Sequence, residues 1–330
     1  MEYKFLGGTG VKVSQLCFGT MSFGGDADEQ TSAALYKRCR DVGINFFDCA
    51  NVYNGGLSEQ ILGKLIAGSR FEVIITSKVY FSTSNDINAR GGTRKHIREA
   101  VDASLKRLNT DYIDVYFLHR FDDYTPLPEV LRVMDDLVRQ GKILYLAASN
   151  FAAWQVAKAL GISAKEGLAR FECIQPMYNL VKRQAEVEIL PMALSENLAV
   201  ITYSPLGGGL LTGKYGAKKQ PEQGRLLDNK MYATRYGVES YYETANAFAR
   251  FAAAQGYNPA SLAVAWVGAH PAVTAPIIGA RNLEQLEGSL GALDIQMTPE
   301  LYAEISALSP TPPPATDRNE EVTQFNYGSR

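Results

Sequence analysis

Short apolar runs rich in β-branched and aromatic residues recur along this chain, and stretches of helical spacing separate most of them. Eight such runs stand out, at about residues 15–19, 44–48, 72–77, 112–118, 143–148, 172–176, 199–203 and 274–278. Strands that alternate with helices argue for a parallel sheet joined by right-handed crossovers. Eight units within 330 residues point to an α/β chain folded as a (β/α)8 TIM barrel. A doubly wound sheet is the competing architecture. It calls for a glycine-rich strand-to-helix turn near the start and an acidic residue about 20 positions later. The stretch Gly19 to Gly25 contains glycine but lacks that spacing.

The helical stretches carry their own boundary signals. Asp28 to Val42 is amphipathic, and a second stretch opens at Ser58-Glu59 and closes near Gly68. Between Thr93 and Leu108 the apolar positions fall on one helical face, and Thr93 is placed as the cap. Pro128 lies in the first turn of a helix running to Gln140, with Gly141 just past its end. Ahead of the first unit, Tyr3 to Leu6 and Val11 to Ser14 flank a glycine-rich turn and predict a hairpin. The chain reads as one domain over 1–330. A charged insertion from Tyr215 to Gly237 follows the seventh strand. Residues 310–330 form a Pro-rich tail, an extended arm with Phe325 and Tyr327 as aromatic anchors.

Charge excludes some partners. With 33 basic and 35 acidic residues the net charge is -2, which offers nothing to nucleic acid or to an anionic membrane surface. No apolar run approaches a membrane span, and the first residues enter a strand rather than a signal-peptide core. Cys17, Cys39, Cys49 and Cys173 lack metal-ligand spacing, and three of them lie in strand-like runs. Buried reduced thiols and a cytoplasmic location are the expectation.

Four polar side chains follow three successive runs. Asp48 comes after Ile44–Phe47, with Tyr53 five residues on; Lys78 comes after Val73–Ser77; His119 comes after Tyr112–Leu118. Strand C-termini are where such barrels do chemistry. Each residue alone has an ordinary structural reading: an ion pair, a surface phenol, a satisfied imidazole. Placed together on one face they make a tuned proton donor. A tyrosine hydroxyl ordinarily titrates near pH 10. An ammonium beside it lowers that value, and a carboxylate can hold the ammonium in place. Such an acid can protonate the oxygen of a carbonyl that accepts a hydride. The hydride itself must come from a cofactor, since no side chain donates one.

At this point the sequence resembles the aldo-keto reductase family, over nearly its whole length. The stretches that carry the likeness are Ile44-Asn45-Phe46-Phe47-Asp48 with Tyr53 and Ser58-Glu59, Ile75-Thr76-Ser77-Lys78, and Asp111 through His119. They continue with Gly141-Lys142-Ile143, Ser149-Asn150-Phe151, Gln175-Pro176 with Tyr178-Asn179, Tyr203 through Leu206, Leu210 through Lys214, and Ile277 through Arg281. The resemblance implies a catalytic tetrad: Tyr53 as general acid, Lys78 and Asp48 as its tuning pair, and His119 positioning the carbonyl oxygen. It also implies a site for NADPH/NADP+, with NADH as the variant choice, built without a dinucleotide fingerprint. In that site Gly19, Thr20 and Met21 lie near the nicotinamide, beside Asp48. Ser149, Asn150 and Gln175 hold the carboxamide, and Tyr203 stacks on the ring. The loop Ser204, Pro205, Leu206, Gly209, Leu210 to Lys214 approaches the pyrophosphate, with Arg225 adding charge. Gly279 leads to Arg281 and Gln285 at a helix N-terminus, where the 2'-phosphate is expected. The family commonly has Glu-Asn on the next turn, against adenine; this chain has Gly288-Ser289.

Substrate choice is expected in the loops. Phe23, Tyr80, Phe81, Phe121 and Tyr124 are candidate walls, and Asp26, Arg120, Asp122 and Asp123 are polar groups on the same face. A mixed aromatic and acidic lining suits a hydroxylated substrate such as a sugar or polyol, whose hydroxyls need acceptors; the partner expected is a small-molecule carbonyl or sugar-like compound. Self-association into a homo-oligomer is compatible with the chain. Potassium-channel β subunits resemble the same branch, at Arg94-Lys95-His96-Ile97 and at the Ser204 to Lys214 loop. That likeness implies an alternative, a cofactor-binding regulatory subunit with little turnover.

Overall fold

The computed structural model describes residues 1–215 and 225–326, without the side chains of residues 225, 228 and 322. A hairpin opens the chain, β1 (Tyr3–Phe5) paired antiparallel with β2 (Lys12–Ser14). Eight parallel strands then close on themselves. They are β3 (Cys17–Gly19), β4 (Phe46–Asp48), β5 (Ile74–Val79), β6 (Ile113–Leu118), β7 (Ile143–Ser149), β8 (Phe171–Gln175), β9 (Ala199–Thr202) and β10 (Ala275–Ile278). Closure comes from β10 pairing with both β9 and β3. Every strand expected from the sequence forms, and the architecture is the (β/α)8 barrel.

The helices are α1 (Glu29–Asp41), α2 (Leu57–Ile66), α3 (Arg94–Leu108), α4 (Leu127–Arg139), α5 (Ala153–Glu166), α6 (Ile189–Ser195), α7 (Arg225–Asp228), α8 (Lys230–Tyr236), α9 (Glu239–Ala254), α10 (Pro259–Ala269), α11 (Leu283–Leu290) and α12 (Pro299–Ser306). Local chemistry sets their ends. Asp28 caps α1 by accepting from Thr31 N, and Thr93 caps α3 by accepting from His96 N. Gly141 follows α4 at φ +72°, a conformation that costs glycine little.

Strand alternation divides the core in two. Cys17, Phe46, Val115, Phe117, Ala147, Cys173, Ala199, Ile201, Ala275 and Ile277 fill the barrel, joined from below by Leu6 and Val13 of the hairpin. The remaining strand residues, such as Phe18, Phe47, Ile75, Tyr116 and Leu146, face the helices. The hairpin is therefore the plug of the N-terminal end, and the chemistry is left to the other.

Three expectations about the periphery are corrected or bounded. The Tyr215 to Gly237 insertion is partly helical, carrying α7 and α8, and its residues 216–224 lie outside the described residues. The tail is not simply extended, because a 3-10 turn spans Asn319–Val322. Phe325 is 69% exposed and packs on no ring among the described residues; Tyr327 lies outside the described residues. All four cysteines are free and buried, with Cys49 one residue beyond β4 and Cys39 in α1.

Candidate active site

Alternation predicts which side chains reach the mouth of the barrel. On each strand the next inward position above the core layer is Gly19, Asp48, Lys78, His119, Ser149, Gln175, Tyr203 or Gly279. Registers agree, with Gly19 opposite Asp48 and Ser149 opposite Gln175. Two positions differ in detail from the sequence reading: Asp48 is the last residue of β4, and Lys78 lies inside β5, which runs to Val79, rather than past the strand's end.

Asp48 organises this ring. Lys78 Nζ donates to both its oxygens, at 2.7 and 2.8 Å, and to Cys49 O at 2.7 Å. Thr76 Oγ1 and Gln175 Nε2 donate to Asp48 Oδ1 at 2.7 and 2.8 Å. The carboxylate, on β4, is thus held by donors from two other strands, β5 and β8. Thr76 was missed in the sequence; it stands two residues before Lys78 on the same face of β5, and that spacing is its signal. Lys78 Nζ also donates to Tyr53 Oη at 3.3 Å and lies 5.0 Å from the centre of its ring. Tyr53 begins a 3-10 turn (Tyr53–Gly56) that enters α2. His119 stands edge-on to Tyr53, ring centres 6.2 Å apart. The four tetrad candidates therefore meet.

The charges follow from burial and neighbours. Burial raises the Tyr53 phenol above the ordinary tyrosine value, and Lys78 only partly offsets it. The expectation that the ammonium dominates and lowers the value is corrected: with the phenol half-buried, loss of water outweighs the neighbouring charge. For Lys78, burial disfavours the ammonium, yet Asp48 and its other partners together lift it above the ordinary lysine value. Burial and the Lys78 charge bring His119 down to about 3. Its imidazole is neutral at neutral pH, and Nδ1 has no hydrogen-bond partner among the described residues.

Beside the tetrad candidates lies a row of amides and hydroxyls. Ser149 Oγ donates to Gln175 O at 2.9 Å. Asn150, at φ +56°, donates through Nδ2 to His119 O at 2.8 Å and to Ser149 Oγ at 3.0 Å. Its Oδ1 accepts from Tyr203 Oη at 2.7 Å, which ties the Tyr203 ring to β7. Thr20 Oγ1 bonds Asp48 O and Ser58, while Met21 stands exposed at the rim. Ser204 is also left-handed, at φ +58°, and its carbonyl accepts from Asn179. Pro205 is buried and Leu206 half-buried. The 3-10 turn Gly207–Thr212 then holds three successive glycines at positive φ, with Leu210 buried beneath. Lys214 Nζ lies 5.2 Å from the centre of the Tyr215 ring. The side chain of Arg225 lies outside the described residues.

Across the mouth, Asn282 caps α11 by accepting from Gln285 N. Gln285 Oε1 accepts from Arg281 N at 3.1 Å, and Arg281 pairs with Asp26. Ser289 is buried, and its hydroxyl has no partner among the described residues. These features fit a dinucleotide. Gly279 leaves open space beside Gly19: among the described residues, Gly19 O at 3.8 Å is the one atom an added Cβ would meet. The triple glycine offers backbone without side chains, and a cation stands at the positive end of α11.

The expected substrate walls fare unequally. Phe81 faces His119 with ring centres 5.0 Å apart, and Tyr80 packs on Phe81. Phe121 packs on Phe151 and on Trp154, a residue missed in the sequence and 61% exposed at the start of α5. Phe23 is corrected: it is fully buried against Phe18 and has no exposed surface to offer a substrate. Tyr124 is corrected as well, for at 94% exposure it encloses nothing. Asp122 is committed within the protein, accepting from Tyr124 N and Thr125 Oγ1 in its own loop and from Gly92 N of the loop ahead of α3. Arg120 and Asp123 are exposed.

Comparison with known proteins identifies the family. Residues 15–310 match the model of the Aldo/keto reductase family. An "Uncharacterized oxidoreductase YrpG" of Bacillus subtilis is 39% identical over 323 residues, covering 94% of this chain and 97% of that protein. A "Probable voltage-gated potassium channel subunit beta" of Oryza sativa is 36% identical, covering 96% and 99%. A "Versiconal hemiacetal acetate reductase" of Aspergillus parasiticus is 30% identical, covering 91% and 94%. No helix among the described residues is long and apolar enough to cross a membrane. A family match over nearly the whole barrel, on a chain whose strand ends gather tyrosine, lysine, aspartate and histidine, places this protein in the aldo/keto reductase family of oxidoreductases.

Proposed function

We propose that the protein interconverts a carbonyl and the corresponding alcohol with NADPH, using Tyr53 as the general acid. The observation that carries this reading is the contact between Tyr53 Oη and a Lys78 ammonium locked on Asp48. Bound in the mouth, the reduced nicotinamide supplies the hydride. Ser149, Asn150 and Gln175 are placed to hold its carboxamide, since these groups both donate and accept. Tyr203, tethered by Asn150, offers it a flat face. The glycine turn would take the pyrophosphate, and Arg281 would take the 2'-phosphate.

The chain's own residues then handle one proton. As the carbonyl oxygen gains negative charge, Tyr53 Oη gives up its proton to it, and Lys78 stabilises the phenolate left behind. Neutral His119 aligns the oxygen without competing as a charged acid. In the direction of alcohol oxidation the same proton returns to Tyr53. A positioned acid of this kind is worth roughly 10²–10⁴ in rate.

Phe81, Phe121 and Trp154 give the mouth an aromatic rim. With Asp122 bound into its loop, the acidic lining expected for a sugar is thinner than the sequence suggested, and an aldehyde or ketone with an apolar face fits better. A panel of aromatic and aliphatic aldehydes, ketones, alcohols and sugars tests the function, followed by cofactor absorbance in both directions. The channel-subunit relatives favour a second reading, a cofactor-binding regulatory subunit with little turnover. Tight NADPH binding with no turnover across the panel would support that reading and remove ours.

Cofactor choice gives a separate prediction. Arg281→Ala should weaken NADPH much more than NADH, which lacks the 2'-phosphate. One charge-assisted hydrogen bond is worth roughly 1.5–3 kcal/mol, or about 10- to 150-fold in affinity. Dissociation constants for both cofactors check it. Equal losses would mean that Arg281 packs on adenine, and no loss would put the phosphate elsewhere.

A further inference from the structure

Arg281 does not wait alone at the N-terminus of α11. Its Nε lies 2.9 Å from Asp26 Oδ2, and both side chains are only partly exposed, at 35% and 51%. Asp26 sits on a braced turn. Ala27 N donates to Ser22 O, and Gly24 N donates to Ala27 O. Asn54, next to Tyr53, donates to Met21 O and Phe23 O. On the other side Ser22 Oγ donates to Ala280 O at 2.7 Å, so the loop carrying Asp26 is pinned directly to the loop carrying Arg281. The carboxylate is thus a built-in anion on the guanidinium.

We infer that Asp26 is a specificity-determining residue that competes with the cofactor's 2'-phosphate for Arg281 and so narrows the preference for NADPH over NADH. This rests on the reading of Arg281 as the phosphate ligand. NADH leaves the Asp26–Arg281 pair intact. NADPH must break it, and afterwards leaves a carboxylate beside a phosphate carrying nearly two negative charges. Both effects fall on NADPH alone. The pair is near the surface, so its influence is modest: removing the charge should tighten NADPH about two- to fivefold.

The test is cofactor titration of the full-length protein by nicotinamide fluorescence, with Asp26→Asn, Asp26→Ser and Arg281→Ala set beside the unaltered chain. Both Asp26 variants should tighten NADPH about two- to fivefold and leave NADH within about 1.5-fold, while Arg281→Ala loses NADPH selectively. If Arg281→Ala behaves so but neither Asp26 variant gains, or both cofactors gain equally, the inference about Asp26 fails and the phosphate reading stands. If Arg281→Ala costs no selective affinity, the phosphate lies elsewhere and the inference falls with it.

Discussion

Replacing Tyr53 with phenylalanine should abolish turnover while leaving cofactor affinity unchanged. The substitution removes one hydroxyl and keeps the ring, so the edge-on contact with His119 survives. It also keeps the ring face that Lys78 approaches. What disappears is the proton. A general acid contributes roughly 10²–10⁴, so kcat should fall by at least about 100-fold. Steady-state kinetics with the best substrate of the panel, set beside NADPH titration, checks both halves. A variant that kept more than about a tenth of kcat would show that Tyr53 is not the acid. The unaltered enzyme carries a related signature. Burial holds the phenol protonated well past neutrality, so carbonyl reduction should be level across neutral pH. Alcohol oxidation needs the phenolate and should climb as the solution becomes basic.

Lys78→Met should be inactive to a similar degree, for an electrostatic reason. Methionine keeps much of the length and removes the charge. The one cation that contacts Tyr53 Oη among the described residues is then gone, and the phenol, already raised by burial, moves further up. Stability should fall too. Asp48 keeps the donors Thr76 and Gln175 but loses its counter-charge. Leaving one member of a buried ion pair alone costs about 3–5 kcal/mol. Thermal unfolding separates the two effects, because a folded variant at assay temperature that remains inactive has lost catalysis and not only structure. An active variant with an unshifted pH profile would remove Lys78 from the mechanism. Adding Asp48→Asn to Lys78→Met should restore much of the stability and none of the rate.

How much of this was legible beforehand divides along a physical line. The strands and most helix boundaries were, because they follow from spacing over a few residues: Thr93 capping a helix start, Gly141 past a helix end, β-branched runs in the strands. The ring at the mouth was legible for the same reason. Once a strand is placed, its period of two decides that Asp48, Lys78 and Gln175 point inward, as Phe46, Thr76 and Cys173 do below them. The aromatic walls were not. Phe23 and Tyr124 look alike as loop aromatics; one packs on Phe18 in the core and the other stands in solvent, while Trp154 was passed over because it opens a helix. Burial is decided by what the chain folds against. The same holds for the charges. Asp48 and Gln175 are 127 residues apart and bond only because the barrel closes. Asp26 meets Arg281 only because β10 returns to lie beside β3. The sequence by itself determined which side chains stand at the strand ends. Only the tertiary structure decided how dry they are and which charges face them, because a pKa and an ion pair depend on distance and solvent access, and neither is local to the chain.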